Sequence, residues 1–254
     1  MSDKKIVSTE GLNLRSTPQI LPDNIVLSMP LAQEVKIINA PAGQRFWEVE
    51  IALNGQTRRG FASSLFLREP LSRKKEALIQ AAVKEWAFFR HGDGLEHIDP
   101  FFRRVGDYWQ NLNINLDGRN RDQPWSAAFI SFIMREAGYT DFKFSDSHDQ
   151  YILDAKAKRL ANKTNAPFWL FRLNEHKPQI GDLVCFWRIN PRTFDDLPND
   201  FSSHTDVVVE VGEFTIKTLG GNVDQSVRQK TLPLKSNGFL KAENKLFAIM
   251  RNNE

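Results

Sequence analysis

Residues 5 to 69 alternate short apolar runs with turn-forming residues: IVSTEGLNLRSTP, VKIIN, FWEVEIAL and TRRGFASSLFL follow one another. In FWEVEIAL, Trp47, Val49 and Ile51 alternate with Glu48 and Glu50, the two-residue period of a strand with one face buried. Asn54-Gly55 separates this run from the next and carries the chemistry of a tight hairpin turn. The pattern predicts a small all-β barrel over residues 1–70.

The period then changes. Glu69-Pro70-Leu71-Ser72 marks a boundary, because Ser72 suits a helix cap and the following RKKEALIQAAVKEWAFFR places Ala77, Leu78, Ala81, Ala82, Trp86 and Phe89 on one helical stripe. A second helix is expected from about Pro100 to Leu112, burying Phe101, Val105, Tyr108, Trp109 and Leu112, before a polar turn over Asn115 to Asp122. No internal repeat or low-complexity tract interrupts the second domain, expected over residues 71–254.

The stretch from Arg121 to Ile133, RDQPWSAAFISFI, carries the most chemical information. Pro124 suits the first position of a helix that can run to a Gly138 cap, which puts Ser126 in the opening turn. Unpaired backbone N–H groups and the positive end of the helix dipole favour a developing oxyanion there.

Further on, the run from Pro178 to Trp187 reads as a turn feeding a buried strand. Ser203 to Val211 starts another, in which Val207, Val209 and Val211 share one face and His204 lies on the opposite one, at the strand mouth. Thr215 to Val223 is a third strand, ending in Gly220-Gly221 and presenting Asn222. Cys185 sits in the apolar run Leu183 to Trp187 and reads as an inert core residue.

Composition narrows the classes. With 254 residues, 41% hydrophobic and 11% aromatic, the chain can bury a sizeable core, and a formal charge of +3 is too balanced to argue for nucleic acid. A single cysteine excludes an internal disulfide framework and a multi-cysteine zinc site. His91 and His97 lie among Gly92, Asp93, Gly94 and Glu96, but their spacing matches no established ligand pattern, so neither metal nor cofactor is expected. The opening MSDKKIVSTEG has no apolar run of a secretory signal, and no span suits a membrane.

Two resemblances follow. Leu12 to Pro18, Trp47 to Glu50 and Gly60 to Ala62 resemble the opening, central and closing strands of a bacterial SH3-like domain. Trp125-Ser126-Ala127-Ala128-Phe129, Gly181-Asp182-Leu183-Val184, His204 with the valines after Asp206, and Gly221-Asn222 together resemble the CHAP and NlpC-type cell-wall hydrolases, in a branch with serine for cysteine and no assigned function. The resemblance implies an α+β, papain-like domain with a mostly antiparallel sheet packed on the nucleophile helix. It also implies catalytic roles: Ser126 in the nucleophile position, His204 as base and Asn222 orienting the imidazole, with Asp206 as a charged alternative for the third place. Asp122, Trp125, His148 and Asp206 are candidates for lining the substrate cleft. The plain alternative for Trp125 is core packing, and the reading favoured for His148 is a solvated helix start.

The function so implied is cleavage of an amide in peptidoglycan through an acyl-enzyme. A serine hydroxyl, unlike a thiol, needs a true general base, so the alternative is a non-catalytic wall- or protein-binding module on a decayed hydrolase scaffold. Synthesis in the bacterial cytoplasm without a signal peptide would require delivery by a secretion machine or by lysis. A delivered antibacterial toxin would require an immunity protein in its producer.

Overall fold

The computed structural model describes residues 3–53, 55–243 and 245–254. The chain divides into two compact units, Met1–Ser72 and Arg73–Glu254. Together they give a mixed α and β architecture with two antiparallel sheets.

In the first unit, β1 (Lys4–Val7), β2 (Leu12–Arg15), β3 (Ile25–Met29), β4 (Glu34–Asn39), β5 (Phe46–Leu53), β6 (Gln56–Ser63) and β7 (Leu67–Arg68) form one sheet in the order β3-β2-β6-β5-β4-β1-β7. The alternation in FWEVEIAL has its expected consequence: Val49 and Ile51 are buried with Val7, Leu14, Met29 and Val35, and the intervening glutamates face outward. β5 and β6 pair from Phe46↔Ser63 to Leu53↔Gln56. The predicted Asn54-Gly55 turn includes Asn54, which lies outside the described residues.

The second unit opens with four helices, α1 (Arg73–Phe88), α2 (Phe101–Gln110), α3 (Ser126–Glu136) and α4 (His148–Leu160). Six strands follow among the described residues: β8 (Phe168–Phe171), β9 (Leu183–Trp187), β10 (Ser203–Val211), β11 (Thr215–Val223), β12 (Ser226–Pro233) and β13 (Leu246–Asn252). Their order, β12-β11-β10-β9-β13-β8, makes every neighbour antiparallel. β10 does not alternate to its end. A bulge between Val208 and Glu210 shifts the register, and Val211 is left exposed.

Aromatic residues anchor the helices. Trp125 stacks on Phe89 at 5.8 Å between ring centroids and lies 5.6 Å from Tyr108, which meets Phe129 edge-on. Burying each such side chain contributes on the order of 2 kcal/mol. The carboxylate of Glu85, buried beneath this cluster, accepts from Tyr108 Oη at 2.6 Å and from Arg104 Nε at 2.8 Å, so its charge is paired.

The helix that carries Ser126 has no side-chain cap at its start and is closed at its end. Trp125 is its N-cap, because Phe129 N donates to Trp125 O, so Ser126 rather than Pro124 is the first helical residue. At the other end Gly138, at φ +80°, supports a Schellman closure with Tyr139 N donating to Met134 O and Gly138 N to Arg135 O. β11 packs hard against the first turn. A Cβ on Gly221 would lie 2.5 Å from Phe129 Cγ and 2.8 Å from Trp125 Cζ3.

Candidate active site

Ser126 Oγ lies 2.7 Å from His148 Nε2. His148 is the first residue of α4, and it is buried because His148, Tyr151, Ile152 and Ala155 form one inward stripe at helical spacing. Its other nitrogen, Nδ1, faces two hydroxyls: Thr205 Oγ1 at 3.0 Å and Tyr151 Oη, themselves 2.9 Å apart. Hydroxyls both donate and accept, so these partners accommodate either tautomer of the ring. With Nδ1–H donating to an oxygen, Nε2 keeps the lone pair that accepts the Ser126 proton.

A second imidazole stands nearby, its centroid 5.2 Å from that of His148. His204 Nε2 donates to Asp206 Oδ1 at 2.7 Å, and the opposite oxygen of Asp206 accepts from Lys230 Nζ at 3.0 Å and Thr218 Oγ1 at 3.2 Å. Arg188 joins the two centres. Its Nη2 donates to Ser126 Oγ and to His204 Nδ1, each at 3.1 Å. Because a guanidinium can only donate, His204 Nδ1 is the acceptor, which agrees with Nε2–H on the carboxylate.

Strand geometry explains the separation. Alternation along β10 sends Thr205 to one face and His204 and Asp206 to the other. Thr205 meets the α4 side chains, whereas His204 meets Ser126 through Arg188; among the described residues the partners of Ser126 Oγ are His148 and Arg188, not His204. β11 separates the faces as well: Gly221 lies against Phe129 and Trp125, and Gly220 against Asp206 and His204.

The electrostatics follow from burial. Desolvation holds the His148 pKa well below the usual histidine value, with His204 and Arg188 adding to the effect and Asp206 opposing it. Burial also lowers His204, against the pull of Asp206. Burial alone would raise the Asp206 carboxyl, but His204 and Lys230 outweigh it and hold it below the ordinary carboxylate range. The resting charges are therefore two neutral imidazoles, one carboxylate and the cations Lys230 and Arg188.

Asn222 has other partners than His204. With its amide oriented so that both atoms are satisfied, the nitrogen donates to Glu96 Oε2 at 3.2 Å and the oxygen accepts from the Trp125 backbone N–H at 3.2 Å. Glu96 also accepts from the Trp125 indole nitrogen at 2.5 Å. Asn222 thus ties β11 to the start of α3, and the imidazole it was expected to orient is held by Asp206 instead. Trp125 is 1% exposed and belongs to the aromatic core. Asp122 is exposed and lines a separate polar depression with Arg119, Arg121 and Gln225. Cys185 is fully buried in β9, and burial raises its thiol above the ordinary range.

A cavity of about 610 Å³ opens beside the site, lined among others by Phe186, Arg188, His204, Asn222, Lys230 and Lys245. Ser126, only 2% exposed, lies behind Arg188 and does not line it. Sequence reasoning missed Arg188 and Glu96, which stand in no periodic pattern. The pairing of His148 had a signal in the stripe it shares with Tyr151, Ile152 and Ala155. Among the described residues, no three His, Cys, Asp or Glu side chains gather as a metal centre requires, and no helix is long and apolar enough to cross a membrane.

Two solved structures resemble the chain at low similarity. NlpC2 from Trichomonas vaginalis aligns over 99% of this chain and 73% of its own, with 12% identity and a TM-score of 0.34. NlpC1 from the same organism aligns over 99% and 69%, with 13% identity and a TM-score of 0.35. No curated protein sequence matches the chain. Residues 104–253, the span that holds Ser126, His148, Arg188, His204, Asp206 and Asn222, match the model of DUF2272, described as an uncharacterized protein conserved in bacteria, and the chain belongs to that family.

Proposed function

We propose that the second unit is a papain-like, serine-dependent amide hydrolase acting on peptides of the bacterial cell wall. The observation that carries this reading is the 2.7 Å contact between Ser126 Oγ and His148 Nε2 at the start of α3. In the proposed reaction Ser126 Oγ attacks the scissile carbonyl carbon while its proton passes to His148 Nε2. The tetrahedral oxyanion would lie against free N–H groups of the first helical turn. As the C–N bond breaks, His148 returns the proton to the leaving amine, and water then hydrolyses the acyl-serine by the same route.

This assignment differs from the one implied by motif resemblance, since it gives the base role to His148. Thr205 and Tyr151 orient that ring by hydrogen bonds to Nδ1, as the third member of a triad does, but through hydroxyls rather than a carboxylate. His204, Asp206 and Lys230 form the second centre, which holds Arg188 against Ser126. The cell-wall substrate rests on the motif resemblance, as does an SH3-like role for the first unit, whose described strands surround a core of their own. Delivery by a secretion machine or by lysis, with an immunity protein in the producer, completes this reading.

A second reading, a peptide-binding module without turnover, is favoured by the shielding of Ser126 behind Arg188. One experiment separates the two. Purified sacculi are incubated with wild type, Ser126→Ala and His148→Gln, the fragments are analysed by mass spectrometry, and Ser126 is tested for labelling by a fluorophosphonate. Release and labelling in wild type, both lost in Ser126→Ala and reduced in His148→Gln, support hydrolysis. Sedimentation with sacculi without release or labelling by any of the three proteins would establish the binding module.

A further inference from the structure

We propose that Arg188 is the specificity-determining residue of this site: it anchors a carboxylate of the peptide ligand in the adjoining cavity, and in doing so leaves Ser126 and His204. The inference deepens the proposed function and rests on it for the class of peptide.

Arg188 occupies an unusual position. Its guanidinium is half-buried, and among the described residues no carboxylate lies within ion-pair distance of it; Asp206, on the far side of His204, is already engaged by His204, Lys230 and Thr218. Its partners are instead the neutral Ser126 hydroxyl and the lone pair of neutral His204. Both contacts come from one terminal nitrogen, so the fork that binds carboxylates bidentately is largely unspent. A half-buried cation whose direct contacts are all neutral gains more from an incoming carboxylate than it loses on leaving them.

The cavity offers the space and the sign of charge for that exchange. Arg188 both lines it and touches Ser126, so an anionic group entering the cavity meets Arg188 before it reaches the hydroxyl. Lys245, Lys230 and Asp224 line the same space; Lys230 is paired with Asp206, so with Arg188 the basic groups there outnumber the carboxylates, and Lys245 Nζ donates to the Arg188 carbonyl at 3.3 Å, steadying the backbone from which the guanidinium swings. Phe186 and Trp187 give the cavity an apolar side for the body of the ligand. Removing Arg188 from between Ser126 and His204 also changes the site itself, because both groups lose a donor at the moment of binding.

The test uses the full chain carrying Ser126→Ala, so that binding is read without turnover. Its ligand is the synthetic stem peptide L-Ala-γ-D-Glu-L-Lys-D-Ala-D-Ala in three forms: both carboxylates free, the carboxy-terminal amide, and the α-amide of the D-glutamyl residue. Calorimetry should give an affinity about ten-fold or more higher for the free form than for one of the amides, since a charge-assisted pair is lost. Which amide binds weakly identifies the carboxylate held. Ser126→Ala combined with Arg188→Gln should bind all three forms equally, and its melting temperature reports whether it folds. Equal affinities for the three forms in Ser126→Ala, a preference that survives Arg188→Gln, or no binding of any form at millimolar peptide would each overturn the inference. Fluorophosphonate labelling of the protein with Ser126 intact judges the hydrolase reading separately, so either claim can fail while the other stands.

Discussion

Gly220 passes so close beneath Asp206 that a Cβ on the glycine would lie 1.8 Å from the carboxylate Oδ1 and 3.2 Å from His204 Nε2. The space a side chain would fill is taken by the hydrogen bond between His204 and Asp206. Gly220→Ala must therefore displace a fully buried carboxylate from His204, Thr218 and Lys230, or push β11 away from β10. Disturbing a buried charge in this way costs on the order of 3 kcal/mol. Chemical denaturation should show a loss of this size with an unchanged m-value, and the His204 ring resonances should shift in the surviving folded fraction.

The buried histidines give the protein a directional response to pH. Both His148 and His204 have folded-state pKa values below that of an unfolded histidine, so the unfolded chain binds more protons as the pH falls below about 6.5. Stability is thus fully present above that value and declines below it, with a slope that approaches about 1.4 kcal/mol per pH unit for each histidine. Asp206, whose pKa is depressed, contributes in the same sense at lower pH: its stabilisation is present above the ordinary carboxylate range and is lost as the pH falls through its folded value. Melting temperatures measured between neutral and mildly acidic pH should fall steadily, and His148→Gln should flatten the first part of that decline. A melting temperature that rises on acidification would contradict the neutral assignment of both rings.

Much of the fold was legible because it depends on periodicity. The two-residue alternation around Trp47 to Ile51 and the part of the helical stripe at Leu78, Ala82 and Trp86 are statements about one buried face each, and burial of one face is what a local pattern encodes; Ala77 and Ala81 of that stripe are only half-buried. The position of Ser126 at a helix start was legible for the same reason, although Trp125 takes the cap and Pro124 stands outside the helix. Partnerships among polar side chains were not. Which imidazole meets Ser126 depends on strand parity in β10 and on the packing of α4, both non-local. Asn222 illustrates the limit: its place after two glycines was plain, but the Glu96 that claims its amide nitrogen lies well over a hundred residues earlier in the chain.

Thr205 separates orientation from proton transfer. Its hydroxyl and that of Tyr151 both face His148 Nδ1, so Thr205→Val leaves the ring with one oxygen in place of two and preserves the shape of the strand. If His148 is the base of the proposed reaction, kcat should fall about ten-fold with KM little changed, the loss expected for one weakened hydrogen bond to the acting imidazole. Steady-state kinetics on released stem peptides, or the rate of fluorophosphonate labelling, would measure it. A rise in KM alone would place Thr205 in ligand binding and remove it from the orientation of His148.

The turn joining β11 to β12 stores strain that can be removed. Val223 pairs with Ser226 across a two-residue connection in which Asp224 and Gln225 have φ of +48° and +63°, the left-handed pair that such turns need. Neither residue is glycine, and a left-handed backbone costs an L-residue about 1 kcal/mol. Gln225→Gly removes the penalty at the second position, where glycine is preferred, and retains the backbone bond from Glu96 N to the residue 225 carbonyl at 2.7 Å. It gives up only an exposed contact from Arg121 to the glutamine side chain, at 3.2 Å. The greater entropy of glycine in the unfolded chain offsets part of the gain. The variant should therefore be more stable than wild type by about 0.5 kcal/mol in denaturant titration, and a loss of stability would show that the side chain of Gln225 holds the turn more strongly than its backbone geometry opposes it.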